Sequence, residues 1–259
     1  MLAEVLRPIR PELQQVAGYM QKHFYIKAGY LGDFAHVELS HLDSQLRPAL
    51  VVLVAKLFGE IDTRVLSLAG VVQFIHLAAR VHDNINEDQH DSDPLVADPR
   101  DGSQYPVLVG DYFYGRFFTT LCEAGIECFL QPLAEVICQI NTGGILRLKR
   151  STHMQHTTWP EQQLLVERET ASLIALGCRL GAQLAGASEK QSEQAEKFGF
   201  NLGMNVGLTE KGAWFEQAVV FLRRALEILQ CLPGGESRVV LRQLVQYITQ
   251  AEQKVLNVG

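Results

Sequence analysis

Hydrophobic residues recur at helical spacing in long blocks, and short breaks with polar residues, glycine or proline separate these blocks. Apolar side chains at i, i+3, i+4 and i+7 are typical of amphipathic helices. The pattern predicts helices over 11–28, 46–58, 62–88, 106–124, 127–149, 159–186, 189–208, 212–231 and 236–256. The run VVLVA at 51–55 resembles a strand, but it has no partner strand and does not predict a sheet. The sequence therefore predicts an all-α bundle.

Start and stop signals support several of these boundaries. Thr158-x-x-Glu161 and Ser188-x-x-Gln191 have the spacing of capping boxes, and the break at 232–235 reads Leu-Pro-Gly-Gly. No stretch between the predicted helices has the length and composition of a linker between domains. We therefore expect residues 1–259 to form a single multi-helix domain around a central cavity.

One predicted helix is apolar on nearly every side, over residues 65–82. Such a helix is normally surrounded by other helices, so we expect 65–88 to be the central helix of the bundle. His76, Asp83 and Glu87 follow one another at i, i+7 and i+11, which places them on one stripe facing one cavity. Asp88 lies beside them. Carboxylates gathered at the end of a buried helix suit hard cations, so Asp83, Glu87 and Asp88 are the candidate Mg²⁺ ligands.

Composition and charge limit the function classes. The chain has 23 Lys and Arg against 29 Asp and Glu, a net charge of −6, so it has no global basic field to hold nucleic acid or an anionic membrane. Lys56, His76 and Arg80 interrupt the two most apolar stretches, so no transmembrane segment is expected. The five cysteines lack C-x-x-C spacing and have apolar neighbours, which predicts reduced core thiols in a cytoplasmic protein. Arg147, with the basic residues that follow it, is expected to complement the dipole at a helix end.

Four segments carry a resemblance to a known family. They are Leu46-Arg47-Pro48-Ala49-Leu50, Phe74-Ile75-His76 with Val81-His82-Asp83-Asn84-Ile85-Asn86-Glu87-Asp88, Val107-Leu108-Val109-Gly110-Asp111-Tyr112, and Glu169-Thr170-Ala171-Ser172-Leu173. In this order and spacing the chain, over roughly residues 40–250, resembles the all-helical trans-isoprenyl diphosphate synthases, or polyprenyl synthetases. The resemblance implies the isoprenoid synthase fold.

The resemblance also implies a chemistry. Members of the family join an allylic diphosphate to isopentenyl diphosphate, while several Mg²⁺ ions between two Asp-rich motifs hold the leaving diphosphate. Metal ions or fixed donors are needed because the departing group carries a high negative charge. His76 matches a histidine that the family uses near isopentenyl diphosphate, and Arg47 matches the last arginine of the family's G-K-R-x-R-P stretch. Both are therefore candidate substrate-binding residues, together with Lys211.

This sequence departs from the family's pattern at both acidic motifs. The first, D-D-x-x-D in the family, reads Asp-Asn-Ile-Asn-Glu at 83–87. The second, F-Q-x-x-D-D-x-x-D, aligns with 206–214, where only Glu210 is acidic and Lys211 follows it directly. The lysine that precedes T-A-S in the family is Glu169 here, and two further basic positions have become Ser44 and Gln45.

These changes predict weak metal binding and impaired catalysis. A cation of unit charge about 4 Å from Lys211 is repelled by roughly 4 kcal/mol at an effective dielectric constant of about 20, and a divalent cation by about twice that. Each lost donor to a developing anion typically costs about 10²–10³ in rate. We therefore expect the isolated chain to catalyse no condensation and to bind diphosphate weakly, with Mg²⁺ as a weak or vestigial cofactor.

The favoured hypothesis is a catalytically impaired small or regulatory subunit of a heteromeric polyprenyl diphosphate synthase. Its partner would be a catalytic subunit or a second copy of the chain. Ala78 and Ala79, five and four positions before Asp83, are small, and the resemblance implies that small residues there leave the family's chain-elongation tunnel open toward long products. The alternatives are an active Mg²⁺-dependent prenyltransferase, or related class-I terpenoid enzyme, that uses the first acidic motif, and a helical binding protein unrelated to prenyl transfer.

A dimer is expected because residues 106–124 carry more aromatic surface than one helix normally buries against its own chain. Phe113, Tyr114 or Phe117 is expected in or near the interface.

Overall fold

The computed structural model describes residues 2–37, 39–85, 100, 104–151, 157–210 and 214–256, and most of these residues are helical. The helices are α1 (Leu2–Val5), α2 (Arg10–Lys22), α3 (His41–Ala55), α4 (Thr63–Asp83), α5 (Gln104–Glu123), α6 (Leu130–Ser151), α7 (Trp159–Val166), α8 (Ser172–Leu184), α9 (Glu189–Glu210), α10 (Phe215–Cys231) and α11 (Glu236–Leu256). Short 3-10 turns lie at Arg7–Ile9, Leu31–Asp33 and Glu127–Phe129. The predicted all-α fold is confirmed.

Helix α4 is the centre of the bundle, as the sequence predicts. It packs against α2, α3, α5, α6 and α8, which explains why it is apolar on nearly every side. Its length and hydropathy would also fit a membrane span, contrary to the expectation that its polar residues exclude one. However, 72% of that stretch is buried inside the protein, as in the core helix of a bundle.

Three boundaries differ from the predicted ones for local reasons. Helix α2 ends at Lys22, and a short hairpin of β1 (Tyr25–Ile26) and β2 (Gly29–Tyr30) follows, with Gly29 at a φ of +136°. Helix α3 begins at His41 because Ser40 caps it, accepting a hydrogen bond from the backbone N–H of Asp43 at 3.0 Å.

The third difference is the end of α4, which was predicted to run to residue 88. The helix ends at Asp83, because Asn84 adopts a ψ of 0° and leaves the helical path. Residues 86–99, which include Glu87 and Asp88, lie outside the described part of the chain. The helical stripe that was expected to join His76, Asp83 and Glu87 therefore stops at Asp83.

The predicted helix over 159–186 is interrupted by one π-helical turn. Glu167–Ala171 forms this turn between α7 and α8, and the Ser172 hydroxyl donates to the Glu167 carbonyl at 2.7 Å. Isolated π-turns inside helices are frequently found at functional sites. Both predicted capping boxes are present, since the backbone N–H of Thr158 and that of Ser188 donate to the side chains of Glu161 and Gln191 respectively.

All five cysteines were predicted to lie in the core, and this is wrong for four of them. All five are free, but only Cys178 is buried, and burial raises its pKa to about 12. The other four lie on exposed faces, because apolar neighbours in sequence project from different sides of a helix.

Three glycines of α9 allow this helix to pack closely against the segment that runs from α7 through the π-turn to α8. Gly199, Gly203 and Gly207 recur every four residues along one face of α9. A Cβ atom at Gly203 would lie 2.7 Å from the Cα atom of Ala171, and one at Gly207 would lie 2.6 Å from Cγ1 of Val166. The π-turn is therefore held against α9 with no room for a side chain on that face.

Replacing one glycine of this seam is expected to destabilise the protein. Gly203→Ala gains helix propensity but forces two backbones apart, so the free energy of unfolding should fall by about 1–3 kcal/mol. Gly18→Ala on α2 is the matched control: the site is exposed and nothing lies within 4 Å of the added atom, so stability should rise by about 0.5–1 kcal/mol. Urea unfolding measures both. A Gly203→Ala variant as stable as the wild type would contradict the close packing.

Candidate functional site

Charged and polar side chains from five elements come together near the C-terminal end of α4. Helix α4 contributes residues at i, i+4 and i+7 along one side, and α3, α6, the π-turn and the last residue of α9 contribute the others. We call this set the charged cluster: Arg47, His76, Arg80, Asp83, Arg147, Glu169 and Glu210. The charge of Arg80 acts on Arg47, His76 and Asp83, which connects the two halves of the cluster.

Arg147 bridges two carboxylates from different elements. Its Nη2 atom donates to Oδ1 of Asp83 at 2.5 Å, and its Nε atom donates to Oε1 of Glu169 at 2.9 Å. The side chain of Glu169 is 12% exposed and that of Asp83 is 42% exposed, so the bridge extends from the interior to the surface. The guanidinium therefore lies between the first residue of the candidate acidic motif and the π-turn.

The local fold is shaped to allow this bridge. Gly143 on α6 faces the π-turn, where a Cβ atom would lie 2.8 Å from Cγ of Glu169. A Cβ atom on the next residue, Gly144, would be 3.9 Å from both Nη2 of Arg147 and Oδ1 of Asp83. Gly143 therefore lets α6 approach closely enough for Arg147 to reach both partners, whereas a Cβ atom at Gly144 would make ordinary contacts.

Burial and charge act on the two ends of the bridge differently. Burial raises the pKa of Asp83 and the charge of Glu169 adds to this, while Arg147 lowers it without fully compensating. Burial lowers the pKa of Arg147, but its hydrogen bond to Glu169 and the charges of both carboxylates outweigh burial, so that its pKa is raised. Arg147 is therefore a permanent cation at this position.

The other half of the cluster contains buried donors without acceptors. Arg47 is 3% exposed, and its Nε and Nη1 atoms have no hydrogen-bond partner among the described residues. The Oδ1 atom of Asp43 is 3.9 Å from Nη1 of Arg47, beyond hydrogen-bond distance. Burial lowers the pKa of Arg47, opposed by the charges of Glu210 and Asp43. An unsatisfied buried donor typically costs about 1–3 kcal/mol, so an acceptor from a ligand or from outside the described residues would stabilise these atoms.

His76 lies next to this arginine and is also buried. Its Nε2 atom has no hydrogen-bond partner in the described part of the chain. Burial holds the pKa of His76 well below its ordinary value, and the charges of Arg47 and Arg80 lower it further. The imidazole is therefore neutral at pH 7. Together with Arg47 it forms a buried group of donors suited to a ligand with several oxygen atoms.

The structure brings together only part of the predicted site. Arg47, His76 and Asp83 belong to the charged cluster, whereas Glu87, Asp88 and Lys211 lie outside the described residues. Within the described ranges no three His, Cys, Asp or Glu side chains are close enough to hold a metal ion. Arg147 was expected to complement a helix dipole, and the structure shows in addition that its side chain donates to Asp83 and Glu169, which the sequence did not predict.

Two adjoining cavities lie beside α3 and α4. One, of about 660 Å³, is lined by Arg7, Arg10 and apolar residues of α2, and the other, of about 380 Å³, is lined by Gln73 and Leu77. Both include Ser44, one of the positions where the resembled family has a basic residue. The predicted tunnel residues Ala78 and Ala79 line neither cavity, and Ala78 is fully buried in the core.

Comparison with solved structures supports the same fold. A polyprenyl synthase from Caulobacter crescentus CB15, complexed with calcium and isoprenyl diphosphate, superposes with a TM-score of 0.80 at 19% identity, covering 96% of this chain and 97% of that one. A geranyl diphosphate synthase small subunit from Antirrhinum majus superposes with a TM-score of 0.72 at 18% identity, covering 95% and 99%.

Sequence comparison identifies the family. Component 2 of heptaprenyl diphosphate synthase from Geobacillus stearothermophilus is 29% identical over 211 residues, which are 77% of this chain and 62% of that protein. The chain spans about half to three-fifths of the length of the curated relatives it matches. The family model for polyprenyl synthetases matches residues 37–206, more than half of the chain. The chain therefore belongs to the polyprenyl synthetase family.

Proposed function

We propose that the chain is a catalytically impaired small or regulatory subunit of a heteromeric polyprenyl diphosphate synthase. It would act in the cytoplasm as one domain, residues 1–259, and pair with a catalytic subunit in isoprenoid biosynthesis. Two similarities support a subunit role. One relative is named as a component of heptaprenyl diphosphate synthase, and the fold also occurs in a geranyl diphosphate synthase small subunit.

One observation carries the proposal of impaired catalysis. At the places of the family's two acidic motifs, the described carboxylates are Asp83 and Glu210, and each has an arginine near it. Arg147 binds Asp83 directly, and the charge of Glu210 acts on the buried Arg47. Carboxylates whose charge is already compensated attract a divalent cation much less than free ones do.

The described residues do not fit the several Mg²⁺ ions that the family resemblance implies. Magnesium prefers octahedral oxygen coordination, and when bound it neutralises the charge of a departing diphosphate. Here Asp83 is shared with Arg147, and Glu169 accepts from the same guanidinium. Any magnesium bound by this chain would therefore be held weakly, and metal for the reaction would come with the catalytic subunit.

A diphosphate group is the ligand that the other half of the cluster favours. The Nε and Nη1 atoms of Arg47 and the Nε2 atom of His76 are buried and lack partners among the described residues. Phosphoryl oxygens accept several charge-assisted hydrogen bonds at once, particularly from arginine. Retained binding without turnover is the property expected of a subunit that influences substrate or product length.

Removing the buried guanidinium should weaken diphosphate binding. Arg47→Met preserves much of the side-chain volume but removes the charge-assisted contacts, so affinity for isopentenyl diphosphate should fall at least tenfold. Arg64→Met is the matched control, because Arg64 is half-exposed and pairs with Asp62 at the start of α4. Isothermal titration calorimetry measures both. Equal affinity of the Arg47 variant and the wild type would remove diphosphate binding from the proposal.

The surface for a partner subunit is formed by α5 and α6 rather than by the predicted aromatics. Phe113 and Phe117 are fully buried within their own chain, so the argument that α5 cannot bury them is wrong. The most exposed large apolar side chains on these two helices are instead Leu108, Phe118, Ile145 and Leu148, at 65%, 48%, 65% and 61% exposure. Apolar surface left open on neighbouring helices of a bundle is typical of a protein interface.

Charge introduced on this surface should prevent association. We expect the chain to form a dimer, with itself or with the catalytic subunit, and Phe118→Asp with Ile145→Asp should yield a monomer at micromolar concentration. Val239→Asp on α11, at a residue that is 54% exposed, is the control and should leave association unchanged. Analytical ultracentrifugation distinguishes these results. A wild-type chain that is monomeric with and without a catalytic subunit would contradict the proposed assembly.

The isolated chain should not condense isoprenyl diphosphates. We expect no measurable incorporation of radiolabelled isopentenyl diphosphate by the chain alone with Mg²⁺, and a changed rate or product length when it is added to a catalytic subunit. The catalytic subunit alone is the control. If the lone chain turns over and Asp83→Ala abolishes turnover, the chain is instead an active prenyltransferase that uses its first acidic motif.

A further inference from the structure

The bridge formed by Arg147 spans two elements that the fold brings together from distant parts of the sequence. Asp83 ends α4, and Glu169 lies in the π-turn between α7 and α8. The guanidinium contacts both through different nitrogen atoms, at 2.5 Å and 2.9 Å. It therefore lies where an ion shared by these two carboxylates would have to lie.

We propose that Arg147 is a built-in counter-ion that replaces a divalent cation at Asp83 and keeps such a cation from binding there. This inference rests on the proposed function, because it explains why a subunit with part of the acidic motif holds metal weakly. It goes further in assigning the exclusion to one residue of α6, outside both acidic motifs. In this proposal the positive charge of Arg147 excludes a metal ion from the position beside Asp83.

Two features make the guanidinium a better occupant than a passing cation. It is covalently attached, so it is present at a high effective concentration whatever the metal concentration outside. Its planar fork presents several N–H donors in fixed directions, and two carboxylates from different elements suit that geometry better than they suit a single ammonium group.

The surrounding packing keeps the guanidinium in place. Gly143 allows α6 to approach the π-turn, because a Cβ atom there would collide with Glu169. On its other side the π-turn is held by α9, where Gly203 and Gly207 contact Ala171 and Thr170. Close packing on both sides therefore limits how far Glu169 can move away from Arg147.

Manganese binding to the full-length protein tests this inference without measuring catalysis. Mn²⁺ prefers the same oxygen ligands as Mg²⁺, and the free ion is counted directly by electron paramagnetic resonance. Arg147→Gln removes the cation that is paired with Asp83, so we expect Mn²⁺ to bind about tenfold more tightly or better than to the wild type. The titration is done near pH 8, because losing Arg147 removes an interaction that lowers the pKa of Asp83.

A matched control is present elsewhere in the same chain. Arg179 on α8 also bridges two carboxylates, donating to Glu196 at 2.8 Å and to Glu189, and its exposure is similar to that of Arg147. Arg179→Gln therefore makes the same chemical change away from the charged cluster. We expect its Mn²⁺ affinity to stay within about twofold of the wild type.

Two further variants keep the result interpretable. Adding Asp83→Asn to Arg147→Gln should return Mn²⁺ affinity to the wild-type level, because the gain depends on that carboxylate. If Arg147→Gln alone fails to fold, Arg147→Gln with Glu169→Gln removes one charge of each sign and leaves Asp83 free, so a smaller gain of about threefold is expected.

The inference is overturned if every folded variant lacking Arg147 binds Mn²⁺ no more tightly than the wild type. It is also overturned if the gain persists after Asp83→Asn, or if Arg179→Gln shows the same gain. These outcomes are separate from those of the proposed function. A lone chain that condenses substrates refutes the subunit proposal whatever its manganese affinity, and unchanged manganese affinity leaves an inactive subunit possible.

Discussion

The position of α4 at the centre of the bundle is the constraint on which the site depends. Because this helix has neighbours on five sides, leaving a polar side chain on it without a partner costs free energy unless the residue lies near an end. His76 is buried in the middle of these contacts and is held neutral, while Asp83 lies at the helix terminus, where α6 and the π-turn can reach it. The site is therefore at the end of α4 because that is where the packing permits charge.

Part of the charge at this end of α4 is already balanced within the protein, because Arg147 pairs with Asp83 and Glu169. In a metal-dependent isoprenyl transferase, carboxylates without a cationic partner lower the stability of the protein until metal ions and diphosphate bind. Here the carboxylates have arginine partners from α6 and α3, and the remaining unsatisfied donors are basic or neutral. The cluster thus combines three arginines with three carboxylates, so their charges balance without an added ion.

The sequence was sufficient for the fold because periodicity and burial are properties of single elements. The all-round apolar composition of 65–82 predicted a central helix, and the spacing of Thr158 with Glu161 predicted a helix start, since both depend on residues close in sequence. The bridge from Arg147 to Asp83 and Glu169 was not predictable in this way, because it joins residues 64 and 22 positions apart. It also depends on a π-turn, which moves Glu169 off the regular helical path and leaves no periodic signal.

Likewise, Phe113 and Phe117 gave a strong aromatic signal that did not show which side of α5 the core would cover.

A site that neutralises itself also changes what folding requires. The two faces that fix the π-turn, one on α6 and one on α9, consist of glycines whose neighbours leave no space for a Cβ atom. These contacts form when the chain folds, and they do not require a bound metal. Arg147 supplies the attraction between α4, α6 and the π-turn that a metal would otherwise supply, so the closed arrangement of these elements is reached by the chain alone. Under the proposed function this matters for assembly, because the helix that carries Arg147 also exposes Ile145 and Leu148. The residue that neutralises Asp83 and part of the expected partner surface would then belong to one helix, α6.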